Sequence, residues 1–313
     1  MCYVSAPSLV DKGWDMPISS LIKLFVLAAI WGASFLFMRM GVPALGPVWL
    51  IAWRVVLAAL FLWLIGYVLK KSTDFKQHWR HFLIIGLLNA ALPFTLIALA
   101  AKVLSTSLLT ILNATTPIWA AVLHAVWTRQ LPTPKVILGL LIGIGGVAIL
   151  VGFDRISFQP GAGMAILASL GATLCYALAT TYAKLVKQVE PFANAHGSMW
   201  AALAWLLPLL PWLPMNFMPD TGILFAVLLL GILCTGIAFL LYFQLVAEIG
   251  TTATLTVTFL IPVFGTLWGY LVLQEAVHAY MLAGAATVLL GTALVTDFSP
   301  KSLLNSVNKR DLT

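Results

Sequence analysis

Apolar runs of about 20 residues recur along the whole chain, separated by short segments rich in Gly, Pro and charged residues. A helix of about 20 residues is long enough to cross the roughly 30 Å hydrocarbon layer of a membrane. The pattern therefore predicts an all-α integral membrane protein with ten transmembrane helices. The predicted spans are 21–41, 47–69, 82–102, 105–127, 134–153, 161–183, 193–213, 221–247, 250–273 and 278–297.

The composition supports a membrane protein. Hydrophobic residues make up 62% of the chain and charged residues 9%, whereas soluble domains carry about 25% charged residues. The net charge of +7 does not indicate a nucleic-acid partner, because the basic residues lie between the apolar runs and form no patch. The three cysteines, Cys2, Cys175 and Cys234, have neither disulfide nor metal-site spacing. We predict no metal and no cofactor.

Lys and Arg predict the orientation of the chain. Ten spans place both ends on one side of the membrane, and thirteen of the 17 basic residues lie on that side. The opposite side holds Arg39, Lys102 and Arg155, while Arg54 lies inside the second span. Because short cytoplasmic loops are enriched in Lys and Arg, we expect cytoplasmic tails at 1–20 and 299–313.

The two halves of the chain match when one is shifted by 145 positions. The shift places Gly86 on Gly231, Phe94 on Phe239, Pro117 on Pro262, Gly139 on Gly284 and Gly146 on Gly291. Each half holds five predicted spans, and an odd number makes the two copies enter the membrane in opposite directions. We therefore predict two inverted five-helix repeats, 21–153 and 161–298, around a central cavity.

A polar stripe runs along the fourth span. Its members recur every three or four residues and so share one helix face: Thr106, Thr110, Asn113, Pro117, Ala121 and His124. A proline within a helix frees the carbonyl four residues earlier, which here belongs to Asn113. Thr258 and Pro262 occupy the matching positions in the ninth span. Proline-interrupted spans at equivalent places of two halves are typical of a transporter binding site, so Pro117 and Pro262 are predicted helix breaks. Packing between helices is the alternative reading of this stripe.

The predicted solute site combines polar groups near span centres with aromatic walls. Its candidates are Trp31, Asn89, Asn113, Thr116, Trp119, Tyr176, Tyr242, Gln244 and Thr258. Any single aromatic residue among them could instead belong to an interfacial belt. The oligomeric state is left open.

Four ionisable residues are candidates for gating or charge recognition: Arg39, Arg54, His124 and Glu275. Arg54 could bond helix-end carbonyls, contact a substrate carboxylate or serve a gate, whereas Arg39 could simply extend to the membrane surface. His124 could titrate near neutral pH or be a satisfied buried side chain. No Asp or Glu lies near a span centre, which argues against a central carboxylate relay, although coupling to a proton stays open.

Intramembrane hydrolysis needs a serine–base pair, paired aspartates or zinc ligands. The chain has no Gly-x-Ser-x-Gly motif, no His-Glu-x-x-His motif and no aspartate pair within a span. We therefore predict that the protein is not an enzyme.

The ordered motifs resemble those of the drug/metabolite transporter superfamily, EamA type, across essentially the whole chain. The matching features are WGASF at 31–35, Arg54 followed by VVLAA, Pro117, Pro262, Glu275, Gly284 and Gly291. The resemblance implies a multi-pass carrier of the bacterial inner membrane that exports amino acids, related metabolites or drugs by alternating access. It also implies a cavity lined by spans 1, 3, 4, 6, 8 and 9. The family often closes the fourth span of each copy with an acid, whereas this chain has Glu275 but Gln130.

The leading hypothesis is export of a small, partly apolar metabolite, with lipid as the surrounding medium. Uptake or exchange is the alternative within transport. A structural or lipid-handling membrane protein, whose polar stripes only pack helices, is the alternative from another class.

Overall fold

A computed structural model describes residues 17–71, 74–153, 159–186, 189–213 and 215–296. Its helices are α1 (Ile18–Val68), α2 (Phe75–Gly86), α3 (Leu92–Ala100), α4 (Thr106–Asn113), α5 (Thr116–Thr128), α6 (Pro134–Phe153), α7 (Ala162–Leu185), α8 (Pro191–Leu206), α9 (Thr221–Leu228), α10 (Ala238–Thr254), α11 (Val257–Leu273) and α12 (Ala279–Val295). The described residues contain no strand. Six helical stretches within them are long and apolar enough to cross a membrane. Most of the predicted N-terminal tail and the whole predicted C-terminal tail lie outside the described residues.

The first two predicted spans form one helical run, α1, that folds back on itself at Gly46. Gly46 has φ 70° and ψ 165°, a left-handed backbone that a residue without Cβ adopts readily. Met38 and Arg54 would be about 24 Å apart on a straight helix. Their Sδ and Nη1 atoms are 3.5 Å apart, so the two arms lie side by side. A second non-helical glycine, Gly250, interrupts α10 with φ 81° and ψ 165°.

The fourth and ninth predicted spans are both interrupted, but not in the same way. Between α4 and α5 the helix opens at Ala114 and Thr115, and Pro117 occupies the first turn of α5. Between α10 and α11 the opening lies at Leu255 and Thr256. Pro262 therefore sits inside α11 rather than at the break expected there.

Two further irregular segments lie at matching positions of the halves. A π-helical turn, Leu87–Ala91, joins α2 to α3, and a longer one, Leu229–Ile237, joins α9 to α10. Such turns widen the helix and often occur at functional sites. Here they shape the third and eighth predicted spans near the middle of the molecule.

The helices α6 and α12 pack closely through glycine. A Cβ added at Gly291 would lie 2.5 Å from the backbone nitrogen of Gly143, and one at Gly146 would lie 2.7 Å from that of Val288. Small residues allow such backbone contact between membrane helices. Large apolar side chains on α6, including Leu141 and Ile144, are exposed and face away from the core. In a membrane protein such a surface contacts lipid.

Candidate substrate cavity

A cavity of about 290 Å³ lies among α1, the π-helical turns, the α4–α5 and α10–α11 breaks, and α7. This volume is near the lower end of the range for small-molecule pockets. Its lining residues come from both halves of the chain: Trp31, Ser34, Phe35, Met38, Arg54, Asn89, Phe94, Ile97, Asn113, Thr116, Tyr176, Cys234, Thr235, Phe239, Tyr242, Leu255, Val257, Thr258 and Ile261. About half of these residues are apolar, and the others carry a hydroxyl, amide or guanidinium group.

The structure brings most of the predicted solute-site residues to this cavity. Those that line it are Trp31, Asn89, Asn113, Thr116, Tyr176, Tyr242 and Thr258. Trp119 is half-buried and Gln244 is exposed, and neither is among the lining residues. The Gln244 amide donates a 3.0 Å hydrogen bond to Glu248 Oε1, on the same helix, α10. The binding role of the lining residues stays a prediction.

Sequence reasoning missed several lining residues, of which Thr235 is the most informative. Its hydroxyl donates to the Leu230 carbonyl at 2.9 Å, the five-residue spacing of a π-helical turn. The same oxygen accepts a hydrogen bond from Arg54. A hydroxyl in an otherwise apolar run, Leu233-Cys-Thr-Gly236, was the available signal.

Arg54 is a buried cation on the cavity wall, 4% exposed. Its Nε donates to Thr235 Oγ1 at 2.9 Å and its Nη1 to Met38 Sδ at 3.5 Å. The guanidinium carbon lies 3.6 Å from the centroid of the Phe94 ring, a cation–π contact. The sequence left open that Arg54 bonds carbonyls at helix ends, but the described residues show no such hydrogen bond. Its described partners are a hydroxyl, a thioether and a ring, and none of them is charged.

The carbonyls freed at the first break already have protein partners. The Thr116 hydroxyl donates to the Asn113 carbonyl at 2.8 Å, and Thr292 of α12 donates to the Ala114 carbonyl at 3.0 Å. At the second break Thr258 donates to the Leu255 carbonyl at 2.8 Å. Because unpaired carbonyls are costly at membrane depth, nearby hydroxyls satisfy them.

The Asn113 side chain is different, because its Oδ1 is buried and has no hydrogen-bond partner among the described residues. An unpaired buried acceptor is costly, and a ligand with a donor group would relieve that cost. Asn113 also lines the cavity. It therefore offers an acceptor to a solute.

Aromatic residues form another part of the wall. The rings of Trp31 and Tyr242 are 5.6 Å apart between centroids, and Tyr242 also contacts Phe243 edge-on. Trp31 and Tyr242 come from the first and the second half of the chain. They give the cavity an apolar surface for a solute body.

An ion-pair cluster lies beside the start of α4. Arg39 Nε is 2.9 Å from Glu275 Oε1, and the Thr106 backbone N–H donates to both carboxylate oxygens, at 2.9 and 3.0 Å. Arg39 also donates to the carbonyls of Leu104 and Ala101. A carboxylate at a helix N-terminus is favoured by the helix dipole. The predicted candidates Arg39 and Glu275 thus meet, although gating by them stays a prediction.

A second cluster lies near the start of α1. The Lys23 ammonium pairs with Glu248, and the Ser20 hydroxyl donates to Glu248 Oε2 at 2.8 Å.

His124, on α5, is exposed and does not line the cavity, so it is not the satisfied buried side chain considered from the sequence. Gln130 is also exposed. Nowhere in the described residues do three His, Cys, Asp or Glu side chains gather closely enough to hold a metal ion.

Comparison with known proteins assigns the chain to a family. The model of the EamA-like transporter family matches residues 18–152 and again 163–297. The chain belongs to the EamA-like transporter family. A family match in two consecutive stretches agrees with the duplication seen in the sequence, and it makes this a multi-pass membrane protein of a transporter family.

Individual relatives of this EamA-like chain are distant but cover it well. The "Uncharacterized transporter YoaV" of Bacillus subtilis is 21% identical over 88% of this chain and 96% of that protein. An "Uncharacterized transporter" of Archaeoglobus fulgidus is 24% identical over 88% of this chain and 97% of that protein. The chloroplastic "WAT1-related protein At3g02690" of Arabidopsis thaliana is 25% identical over 85% of this chain and 66% of that protein.

One protein of known crystal structure shares the fold. It superimposes with a TM-score of 0.65 over 91% of this chain and 99% of its own, at 18% identity. At that identity the likeness concerns the fold alone. The family and the relatives named as transporters point to transport rather than catalysis.

Proposed function

We propose that this protein is a secondary transporter that exports small metabolites by alternating access. In this proposal the chain crosses the membrane ten times, as two inverted five-helix repeats, 21–153 and 161–298. Amino acids and related compounds are the leading solute class, with drugs as a wider possibility, because the family resemblance implies them. The membrane is the bacterial inner membrane, with both termini cytoplasmic as the distribution of Lys and Arg predicts.

Contacts between helices support the inverted repeat. A contact between one element of the first half and one of the second recurs between the counterparts of those two elements. Gly86, at the end of α2, packs on the Ser198 carbonyl of α8, where an added Cβ would lie 2.8 Å away. Its counterpart under the shift of 145, Gly231, packs on Arg54 and Leu57 of the second arm of α1. The pairs α3–α7 and α1–α10 are likewise in contact, as are α6 and α12. A two-fold axis in the membrane plane accounts for these pairings.

The observation that carries the transport proposal is one cavity, built from both halves, between two broken helices. The cavity is closed where α4 and α11 pack together, since a Cβ at Gly265 would lie 2.3 Å from Thr110 Cγ2. Thr106 and Thr110 are fully buried there. On the other side of the break Leu255 lines the cavity yet is 48% exposed. With cytoplasmic termini, this state is closed outside and accessible from the cytoplasm.

Flux measurements test the proposal. Purified protein in proteoliposomes should carry a labelled metabolite, and gradients imposed in each direction separate export from uptake or exchange. Combining Asn113→Leu with Thr258→Val should abolish flux, because it removes an amide and a hydroxyl from the cavity wall. Thr287→Val is the matched control, since this hydroxyl is exposed on α12 and outside the cavity. Unchanged transport by the folded double variant would rule out the assigned site.

Labelling separates transport from a purely structural or lipid-handling role. A cysteine at Leu255, in a variant without native cysteines, should react with a water-soluble maleimide and be protected by a transported solute. A structural protein, whose stripes only pack helices, predicts no solute protection at this position.

A further inference from the structure

We propose that the transported solute is an amphiphilic monocarboxylate whose carboxylate binds Arg54 and whose apolar body packs against Trp31 and Tyr242. This inference rests on the transport function proposed above. It adds the charge of the solute, the residue that recognises it and the orientation in the cavity.

The first step is charge balance. Arg54 is buried to 96%, and its described contacts are the Thr235 hydroxyl, the Met38 thioether and the Phe94 ring. Among the described residues that line the cavity there is no Asp or Glu. A buried charge without a counter-charge is unfavourable in a protein interior, and more so within a membrane. An anionic solute would supply the missing partner.

The second step is the geometry of the group. A guanidinium has five N–H donors in a planar fork, and a carboxylate matches that fork with two parallel hydrogen bonds. The described structure gives Arg54 two hydrogen bonds, which leaves three N–H groups for a ligand. Arg54 lines the cavity, and the proposal directs these donors toward the solute. A phosphate monoester carries nearly two negative charges and fits a single cation less well.

The third step is length. Met38 and Thr235 mark the Arg54 end, and Trp31 and Tyr242 mark the aromatic end. Trp31 and Met38 are seven residues apart in the first half, and Thr235 and Tyr242 are seven residues apart in the second. Seven residues of helix rise by roughly 10 Å, which is the distance between the two ends. A carboxylate joined by a short chain to one aromatic ring spans about that distance. The cavity of about 290 Å³ admits one such molecule.

The experiment compares matched acids and amides on the purified full-length protein. The probes are 3-phenylpropionate and L-phenylalanine, each paired with its amide, at pH 7 and constant ionic strength. Binding is read from the rise in melting temperature with probe concentration. We expect the acids to bind at least about thirtyfold more tightly than the amides, because the amides leave the buried cation unpaired. Equal binding of acids and amides would overturn the proposal.

Variants test whether Arg54 causes the preference for acids over amides. Arg54→Gln should lose the preference for acids, and Arg54→Lys should keep part of it, because it retains the charge but not the fork. Arg80→Met removes an exposed positive charge outside the cavity and should leave the preference unchanged. If Arg54→Gln fails to fold, the acid–amide comparison on the native protein and on Arg54→Lys still decides. A full acid preference in Arg54→Gln refutes the role of Arg54.

The two proposals fail differently. Tight binding and flux of neutral or cationic compounds without acid preference would leave the transporter standing and remove the carboxylate site. No binding by any probe, together with no flux of any labelled metabolite, would remove both.

Discussion

The ion pair between Arg39 and Glu275 allows a quantitative test of the closed end of the cavity. Both side chains are less than one-third exposed, and Glu275 also accepts the Thr106 backbone N–H. Two unit charges about 4 Å apart attract by about 4 kcal/mol at an effective dielectric constant near 20. Glu275→Gln removes this attraction but keeps one oxygen acceptor. After solvent screening at Arg39, we expect the closed arrangement to lose about 2 kcal/mol.

A loss of about 2 kcal/mol corresponds to about a thirtyfold larger open fraction. Ser107 reports this opening, because it is 1% exposed on α4 and its hydroxyl has no described partner. Ser107→Cys, with the native cysteines replaced by alanine, is labelled with a water-soluble maleimide in nanodiscs. Glu275→Gln should raise the labelling rate by about thirtyfold. Glu190→Gln, which breaks an exposed ion pair elsewhere, should not change it.

The reasoning is refuted if Glu275→Gln folds, keeps its melting temperature and leaves the labelling rate of Ser107→Cys unchanged. A general loss of stability is recognised separately, because it would lower the melting temperature and expose buried sites throughout the chain. Arg39→Met provides the reciprocal test. Its effect and that of Glu275→Gln should be much less than additive, since both remove the same pair.

Two further predictions concern packing and pH. Gly291→Ala should destabilise the protein by about 1–3 kcal/mol in thermal unfolding, because its Cβ would meet the backbone nitrogen of Gly143 at 2.5 Å. Gly145→Ala is the control. It has open space around it and should be neutral or stabilising. Burial raises the pKa of Glu190, but hydrogen bonds from Lys71 and from the first turn of α8 outweigh it and lower that pKa below 4.5. This stabilisation is present above pH 4.5 and is lost as pH falls through the lowered value. Glu190→Ala should therefore flatten the decline in melting temperature on acidification. The free energy of unfolding that this pair contributes is no more than about 1 kcal/mol, because both side chains are exposed.

Part of the candidate site follows from sequence because its signals are local. Asn113 and Thr116 are polar residues in an apolar run beside a proline, and they line the cavity as expected. Gln244 does not, and helix geometry explains why. It is two residues from Tyr242, which places it about 200° around the helix, so the two side chains cannot face the same cavity.

The breaks show a second limit of sequence reasoning. In the first half the opening lies just before Pro117, which occupies the first turn of α5. In the second half the opening lies at Leu255 and Thr256, where the Thr256 hydroxyl donates to the Ala253 carbonyl at 2.7 Å. A proline near the start of a helix can be accommodated by a turn that opens before it. Which turn opens depends on the surrounding helices as well as on the proline.

Hydropathy, charge between the apolar runs and the shift of 145 positions were sufficient to recognise a multi-pass membrane protein with a duplicated half, because each of these is a property of the chain read in one dimension. The partners of individual charges were decided by tertiary structure. Arg39 meets Glu275 and Thr106, while the partners of Arg54 among the described residues are uncharged groups at the cavity wall. The physical reason is that hydrophobic burial depends on composition and period, whereas the pairing of a charge depends on which distant side chain lies within a few ångströms.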